Sequence, residues 1–524
     1  MPPSDPTNQQ DEPSSAVTAQ ALSIFEQLAR RFPVCLYSDE FHFFPQARAN
    51  THDWRVWDDF SAASVRALTE ASQRWQGQLA AAAKAAAAVD DCIDTARLAR
   101  ALRTLTEQLN DIAPQRRQPT FHLTIAAIGL AEALEHGTDA WHQRAAALPE
   151  FIDRAVASLE HIPRLFRDMG LEMAGMLIGW LQGLHRSGMH ATAGCEALTR
   201  MEDHLRHVST QEAFLLPLEH YETVTADHVG CSMPLAEITG ILDEEIRETR
   251  CLLETAAAHL APGEKWPTVL AALPSPGADQ DGAAYQTLID DLGRHCADVG
   301  LMHRSILKDC PVRVARVPAH LTPVRSSAAY SMPPGHPSRG GTFYTMDDAG
   351  GRPSDWRLLS AHETYPGHHL LDVHRWNHPR PARRHMEFPL FYEGWASFSE
   401  ELLFDTGFFS DSWEARLLMA KRRFWRAMRG RADVYLHSGQ KTLDQAAGFL
   451  ADAGMPKVRA DAMVRRYALK PGYQICYTMG RITFRNLYDR YRRRGGAPAT
   501  FVRCVLTQGQ IGLDDLADRL FPTP

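Results

Sequence analysis

The chain alternates long helix-forming segments with prolines, and this alternation restricts it to a mostly helical fold. Residues 55–110 are rich in alanine, leucine, arginine, glutamine and glutamate, and the run 79–88 has the strongest intrinsic helix preference in the sequence. Because proline ends or kinks a helix, it divides the N-terminal half into segments of the length found in helical bundles. The predicted breaks lie near Pro114, Pro149, Pro163 and Pro217 and across residues 262–282.

The order of helices and breaks predicts three parts along the chain. We expect a disordered tail at residues 1–18, a helical N-terminal lobe at 19–310 and a helical catalytic lobe at 311–524. The stretch 326–348 is non-helical by its prolines and glycines, and Gly341–Thr345 within it has the β-branched and aromatic residues of a short strand. This strand is expected either to offer an edge to an extended peptide or to belong to a structural hairpin.

Composition and charge exclude several classes of protein. The 524 residues include 63 acidic and 56 basic side chains, a formal net charge of −7 with no basic patch that would favour nucleic acid or an anionic membrane. The most apolar helix candidate, 173–184, is too short to span a bilayer, and the polar N-terminus lacks the pattern of a secretory signal. Nine dispersed cysteines without a Cys-x-x-Cys pair favour a reducing compartment. We therefore predict a soluble, cytoplasmic protein without nucleic-acid or membrane partners.

The segment His362–His369, His-Glu-Thr-Tyr-Pro-Gly-His-His, begins like a zinc-binding helix and is then interrupted. In the usual arrangement two histidines at i and i+4 share a helix face, and a glutamate next to the first acts as general base. Here Pro366 occupies the i+4 position, so the helix must kink after Tyr365. Leaving the Pro-Gly insertion out of the angular count places His368 where the second ligand belongs, which favours His368 over His369. The alternative is two ordinary histidines beside a helix break.

A carboxylate further along the chain can complete the metal site. Glu393 lies 25 residues after His368, a separation typical of a third ligand delivered from the next helix. Two histidines and one glutamate leave a fourth position for water, as in catalytic zinc sites, although the same ligands can hold cobalt or manganese. Glu400, seven residues further on, is either an outer partner of the site or a competitor for the ligand role. Glu363 is then placed to take a proton from metal-bound water and to deliver it to a leaving amine.

These residues resemble the bacterial domain-of-unknown-function 885 family, a group of mostly helical proteins related to the glutamate-type zinc metallopeptidases. The resemblance is carried by His-Glu-x-x-Pro-Gly-His-His, by Glu-Gly-Trp-Ala at 393–396, and by flanking motifs in the C-terminal half. Those motifs are Ala329-Tyr330, Arg339–Tyr344, Arg429, Asp433, His437 and Pro471–Gly480. The resemblance implies a large, mostly α, zincin-like (gluzincin-related) fold with a small β hairpin or sheet beside the metal cleft.

The same resemblance implies roles for individual residues. By position, His362, His368 and Glu393 match the ligands of a Zn2+ cofactor and Glu363 matches the general base. Tyr477 matches a tyrosine that can hydrogen-bond the tetrahedral oxyanion. The chemistry of that last residue is consistent with the role, because a phenol can donate to a developing negative charge. The alternative is that Tyr477 has only a structural role, as a tyrosine packed in the core.

Other residues near these motifs have open roles. His437 can pair with the aspartate four residues before it, orient a metal ligand, or polarise the substrate carbonyl. Arg339 or Arg481 can meet a substrate carboxylate through two parallel hydrogen bonds, or can be structural. The sequence departs from the family pattern at Tyr473, where glutamine is common, and in Cys476–Gly480, which lacks a lysine. Both departures bear on substrate preference, and neither affects the ligands.

The predicted function is zinc-dependent hydrolysis of peptide bonds in short peptides. One alternative keeps the metal and changes the substrate, giving an amidase or a tailoring enzyme for a peptide-like small metabolite. A second alternative is a non-catalytic binding protein in which the metal is a structural staple. Retention of Glu363 argues against the second alternative, because a structural zinc ion has no use for a general base.

Overall fold

The computed structural model describes residues 15–85, 88–274, 277, 282–317, 328–346, 352–409 and 412–522. The described chain is mostly helical with one small sheet, as predicted. Its first helices are α1 (Ala16–Arg31), α2 (Ala62–Ala85), α3 (Val89–Glu107), α4 (Pro114–Arg117), α5 (Pro119–Glu135), α6 (Thr138–Ser158), α7 (Arg164–Arg186), α8 (Thr192–His207), α9 (Leu218–Thr223), α10 (Leu235–Leu260), α11 (Trp266–Ala272), α12 (Ala283–Asp298) and α13 (Ile306–Asp309).

The helices of the C-terminal part follow the sheet. They are α14 (Trp356–Glu363), α15 (His368–Trp376), α16 (Pro381–His385), α17 (Pro389–Asp405), α18 (Trp413–His437), α19 (Leu443–Asp452), α20 (Lys457–Tyr467), α21 (Ile475–Arg493), α22 (Pro498–Gln508) and α23 (Leu513–Leu520). Short π-helical segments lie at Gln108–Ile112 and Val224–Val229, and a 3-10 turn at Pro337–Arg339. No helix of the described ranges combines the length and apolar character needed to cross a membrane.

Proline marks most of the predicted helix boundaries, with one exception. Pro114 is the first residue of α4, and Pro163 and Pro217 directly precede α7 and α9. The break predicted at Pro149 is wrong, because this proline lies inside α6. The buried side chains on both sides of Pro149 hold α6 against the core, so tertiary packing outweighs the local cost of about 3 kcal/mol. The loop predicted at 262–282 contains the short helix α11.

The hydrophobic core divides earlier in the sequence than the predicted lobe boundary at residue 310. The largest N-terminal cluster joins buried residues between 17 and 205 and includes only two from the C-terminal half, Ala382 and Met386. Buried residues of α10 pack with α18, and those of α12 pack with α14. Helices α10 and α12 therefore support the C-terminal half. Residues 16–18, predicted as the end of a disordered tail, form the first turn of α1, and residues 1–14 lie outside the described ranges.

The small sheet contains three strands, β1 (Val312–Arg316), β2 (Ala329–Ser331) and β3 (Gly341–Thr345). The strand predicted at 341–345 is β3, which lies in the middle, parallel to β1 and antiparallel to β2. Because both edges of β3 are already paired, it cannot add a peptide strand as the sequence suggested. The sheet packs beside α15, where the Tyr330 side chain of β2 belongs to one buried cluster with Val373 and Trp376.

Two glycines allow α17 and α21 to cross at close range. A Cβ atom at Gly394 would lie 2.5 Å from Gly480 Cα, and one at Gly480 would overlap the Leu390 carbonyl oxygen. Gly480→Ala is therefore expected to destabilise the protein by about 1–3 kcal/mol, because two helix backbones must move apart. Gly448→Ala in α19 is the matched control, since a Cβ there meets nothing within 4 Å and alanine favours the helix. Urea unfolding of both variants measures the difference, and equal stabilities would contradict the expected clash.

Candidate metal centre

The helix break predicted at Pro366 separates α14 from α15. Helix α14 ends at Glu363 and α15 begins at His368, and the Gly367 amide donates a hydrogen bond back to the Ala361 carbonyl at 3.2 Å. A Cβ at Gly367 would overlap the His362 carbonyl oxygen, so only glycine fits this turn. The Trp395 indole N–H donates to the Pro366 carbonyl at 2.9 Å. The tryptophan of Glu-Gly-Trp-Ala thus holds the interrupted helix in place.

This turn brings His362, His368 and Glu393 together. Glu393 Oε2 lies 3.3 Å from His362 Nε2 and 3.4 Å from His368 Nε2. The three candidate ligand atoms all lie within 4.8 Å of one another, and all three side chains are buried. Zinc bonds of about 2.0–2.2 Å in a tetrahedron put neighbouring ligand atoms about 3.4 Å apart, which these distances match. The spacing therefore fits one small cation between the three groups.

The hydrogen bonding of the cluster also fits a cation. Glu393 Oε2 is buried and accepts no hydrogen bond from any described residue. A buried charged oxygen that accepts no hydrogen bond is costly, and a metal ion at this point would satisfy it. Burial by itself raises the pKa of Glu393. The nearby His362 and His368 imidazoles outweigh that effect and hold this pKa well below its usual range. The cluster thus presents a charged carboxylate where a metal would bind.

Glu400 lies behind His362, on the side away from Glu393. Its Oε1 is 3.0 Å from His362 Nδ1, and Arg426 Nη2 lies 3.2 Å from the same nitrogen. In the tautomer that carries the proton on Nδ1, His362 donates to Glu400 and leaves Nε2 free for the metal. Arg422 and Arg426 hold the same carboxylate, with Arg422 Nε donating to Oε2 at 2.8 Å and Arg426 Nη2 to Oε1 at 2.5 Å. Against the effect of burial, these two arginines hold the pKa of Glu400 well below its usual range. Of the two roles open in the sequence, the structure supports the outer partner.

His369 points away from the cluster. Its Nε2 donates to the Cys310 carbonyl at 2.8 Å, and its Nδ1 lies 2.9 Å from the Tyr330 hydroxyl, which donates to it. Burial lowers the pKa of His369 to about 3, so the ring is neutral. With both ring nitrogens used, His369 fastens α15 to the sheet, and the geometry favours His368 as the metal-facing histidine.

Glu363 follows His362 in the chain, is buried, and lies close enough to His368 and Glu393 for their charges to act on it. Burial raises its pKa to about 7, the charge of His368 opposes that shift, and the charge of Glu393 adds to it. A bound cation would in turn favour the charged form of Glu363. A carboxylate in this environment can both accept and return a proton.

Two tyrosines reach Glu393, one from the turn before α21 and one from the first turn of α21. The Tyr473 hydroxyl donates to Glu393 Oε1 at 2.9 Å, and the ring stacks on His42 from the N-terminal half, with centroids 4.8 Å apart. Asp433 accepts from the Gly472 amide at 2.9 Å and so holds the turn that carries Tyr473. In the sequence Tyr473 stands out only as a departure from the family pattern, and nothing there indicates its contact with the candidate ligand.

The second tyrosine, Tyr477, lies one helical turn further along the same chain. Burial raises its pKa well above the usual range, and the nearby charge of Glu393 raises it further. The ring of Tyr477 also contacts that of Tyr473, with centroids 5.9 Å apart. The Tyr477 hydroxyl is therefore protonated and close to the candidate metal ligands, as an oxyanion donor must be.

The sequence family of the chain is consistent with the motifs that form this cluster. Residues 183–520 match a family described as "Bacterial protein of unknown function (DUF885)". The chain belongs to this family. The matched range contains every candidate ligand, the residue proposed as base and both tyrosines. None of the curated proteins compared with the chain matches it.

Two solved structures share the fold of this DUF885 protein. One is "the putative lipoprotein from Colwellia psychrerythraea", with a TM-score of 0.72 and 14% identity, covering 96% of this chain and 98% of the other. The other is "a putative lipoprotein of unknown function from Shewanella oneidensis", with a TM-score of 0.71 and 14% identity, covering 96% and 99%. At this identity the likeness shows a common fold and nothing about activity. The cytoplasmic location of the DUF885 protein stays a prediction.

Three other candidate residues of this DUF885 protein have different surroundings. His437 Nε2 donates to the Tyr467 carbonyl at 3.0 Å, and its ring stacks on Tyr221, so it is not one of the clustered groups. Arg481 pairs with Glu401 at 2.8 Å and with a second carboxylate, Glu245, at 2.7 Å. Arg339 lies exposed in the 3-10 turn before β3. We therefore assign no catalytic step to His437 and no substrate contact to Arg481.

The contact between Tyr473 and Glu393 leads to a prediction for this DUF885 protein. Tyr473→Phe is expected to weaken zinc binding by about 10–100-fold, because partners that orient a metal ligand typically contribute that much. Competition with a chromophoric chelator measures the change. Tyr435→Phe is the matched control, because Tyr435 lies on α18 stacked against Arg431 and away from the cluster. Equal zinc affinities for the two variants would contradict the expected role of the Tyr473 hydroxyl.

Proposed function

We propose that this protein is a zinc-dependent hydrolase that cleaves amide bonds in short peptides. The observation that carries the proposal is the buried Glu393 Oε2, which faces two imidazole nitrogens and lacks a hydrogen-bond partner in the described chain. Two histidines and one glutamate leave a coordination position open, which is the pattern of catalytic zinc, whereas structural sites use four protein ligands. Glu363 beside these ligands supplies the remaining group that hydrolysis needs.

The residues divide the work of hydrolysis among them. His362, His368 and Glu393 would hold the metal, which when bound would supply carbonyl polarisation and a lowered pKa for water, towards about 7. Glu363 takes a proton from the attacking water and delivers it to the leaving amine. The Tyr477 hydroxyl donates to the carbonyl oxygen as negative charge develops on it.

Burial of the site favours short substrates. The exposed fractions of His362, His368 and Glu393 are 5%, 4% and 8%. A folded protein surface cannot bring a peptide bond to groups covered to this extent without local unfolding, whereas a short peptide can enter as an extended segment. The proposed substrates are therefore oligopeptides, and not intact folded proteins.

The test uses the full-length protein loaded with zinc. It is incubated with a mixture of short peptides and blocked dipeptides, and the products are identified by mass. We expect cleavage that disappears on treatment with a chelator and returns when zinc is added back. Stoichiometric zinc without cleavage of any peptide would overturn the proposal and favour the alternative substrate, a peptide-like small metabolite. Cleavage that persists in metal-free protein would also overturn it.

A further inference from the structure

One face of α18 lines the candidate metal centre from end to end. Arg422, Arg426, Arg429 and Asp433 follow one another at steps of four, three and four residues, which places them in a row along the helix. The first two hold Glu400 behind His362, and the last holds the turn that carries Tyr473. Arg429 lies between these two anchoring points.

Arg429 differs from the other arginines of this region in having no anionic partner. It forms no hydrogen bond and no ion pair with any described residue, and its Nε atom is fully buried. Arg422, Arg426 and Arg481 each pair with a carboxylate. A partly buried guanidinium without a counter-ion is costly, so its retention at this position requires a separate reason.

The contact between Arg429 and Tyr477 orients the free guanidinium. Its central carbon lies 4.9 Å from the centre of the Tyr477 ring, close enough for a cation–π contact. The hydroxyl end of the same ring lies near Glu393, whose charge acts on it. Arg429 is therefore separated from the candidate metal ligands by a single aromatic side chain.

We infer that Arg429 binds a carboxylate of the substrate and so selects the peptide bond that reaches the metal centre. This inference rests on the proposed function and adds a substrate class to it. A planar guanidinium matches a carboxylate through two parallel hydrogen bonds, and the Arg429 guanidinium donates to no described residue. The acidic side chains of Glu363 and Glu393 would repel a substrate anion, whereas Arg429 and a bound metal would attract it.

The position of Arg429 selects where the carboxylate lies in the substrate. One residue of extended chain covers about 3.3–3.6 Å, so a peptide bond near the Tyr477 hydroxyl and a carboxylate near the Tyr477 ring face belong to adjacent parts of the substrate. That carboxylate is either the free C-terminus or the side chain of an aspartate or glutamate after the cleaved bond. In the first case the enzyme removes C-terminal residues, and in the second it cleaves before acidic residues.

The first experiment compares hydrolysis by the zinc-loaded parent and by Arg429→Gln. The substrates are N-acetylated dipeptides with apolar, basic or acidic C-terminal residues, each as a free acid and as an amide. We expect Arg429→Gln to lower kcat/KM by about 10–100-fold for substrates that carry the carboxylate, mainly through KM, and to leave the others unchanged. Arg429→Lys should fall between the two, because it keeps the charge and loses the fork. If Arg429→Gln affects only the free acids, Arg429 binds the C-terminal carboxylate. If it affects amides that have an acidic side chain, Arg429 binds that side chain.

The second experiment measures binding without hydrolysis, so that it remains decisive if the protein cleaves no peptide. Calorimetry follows binding of the same acids and amides to zinc-loaded Glu363→Gln, with and without Arg429→Gln. We expect binding of carboxylate substrates to be stronger by about tenfold or more, and this preference to disappear with Arg429→Gln. Arg431→Gln is the matched control, because Arg431 lies on another face of α18 and pairs with Asp243 of α10.

Several results would overturn the assignment of Arg429. These are equal binding of acids and amides, no binding across the whole panel, and a carboxylate preference that survives Arg429→Gln. The last result would place the anion on the metal. Zinc content and thermal unfolding of each variant separate a lost contact from a lost fold, and Arg429→Lys provides a second variant if glutamine destabilises the helix. Failure of hydrolysis with a retained Arg429-dependent preference would count against the proposed function and not against this inference.

Discussion

Glu363→Gln is expected to lower amide hydrolysis by about 10²–10⁴-fold while zinc remains bound. Glutamine keeps the size of the side chain and loses its ability to take up and deliver a proton, and positioned acid–base groups contribute rate factors of this size. Glu363 is not one of the three clustered ligand groups, so the metal should stay. Steady-state kcat/KM and the zinc content of dialysed protein measure the two effects separately.

The control for this prediction is Glu414→Gln, a matched change of an exposed glutamate in the first turn of α18. It should leave both rate and zinc content at parent values. Loss of zinc from Glu363→Gln would mean that this residue acts as a ligand. An unchanged rate in Glu363→Gln would remove the proton-transfer role on which the proposed mechanism depends.

The second large expected effect is on zinc affinity, which His368→Ala should lower strongly and His369→Ala should leave unchanged. His368→Ala removes one of three candidate ligands, so zinc affinity should fall by more than the roughly 10–100-fold typical of changes outside the ligand shell. His369→Ala leaves the ligands in place and should keep zinc. Elemental analysis after dialysis against a weak chelator compares the two proteins directly.

The expected cost of His369→Ala lies in stability. This substitution leaves the buried Cys310 carbonyl and Tyr330 hydroxyl without their partner, at about 1–3 kcal/mol for each unsatisfied group. Urea unfolding of the metal-free proteins should therefore show His369→Ala to be clearly less stable than the parent. Retention of zinc by His368→Ala together with loss from His369→Ala would reverse the assignment of the second ligand.

The connections between α14, α15, α17 and α18 explain why the candidate ligands lie close together. The tight turn at Gly367 joins α14 to α15. Trp395 fastens that turn to α17, the helix that also carries Glu393. Helix α18 then closes the site from behind through Arg422 and Arg426. Residues around the candidate ligands therefore have structural roles: Gly367 and Trp395 hold the turn, and the two arginines hold Glu400.

Part of the fold and of the candidate site could be predicted from local sequence patterns. Helix preference and proline spacing were sufficient for the mostly helical class, and the incompatibility of Pro366 with a continuous helix was sufficient for the break between α14 and α15. Helical periodicity and ligand chemistry also singled out His362, His368, Glu393 and Glu363, which the structure brings close together. Apart from Glu393, which lies 25 residues after His368, these steps depend on residues near one another along the chain.

Other features depended on contacts between distant segments. Pro149 remains helical because its neighbours pack into the core, and the core divides before residue 310 because α10 packs on α18. Nothing near Tyr473 in sequence indicates its hydrogen bond to Glu393, 80 residues away. Likewise, no local pattern shows that Arg429 has no counter-ion among the described residues, because this depends on all the segments packed around it.

The amino-acid sequence by itself determined the helical class, the interrupted helix and the residue types able to hold a metal, because these follow from backbone sterics and side-chain chemistry within a few residues. Only the tertiary structure decided that Glu400 stands behind His362 and that Arg429 has no counter-ion among the described residues. Those choices depend on burial and on distances between helices that are far apart in the chain, and no local pattern encodes them.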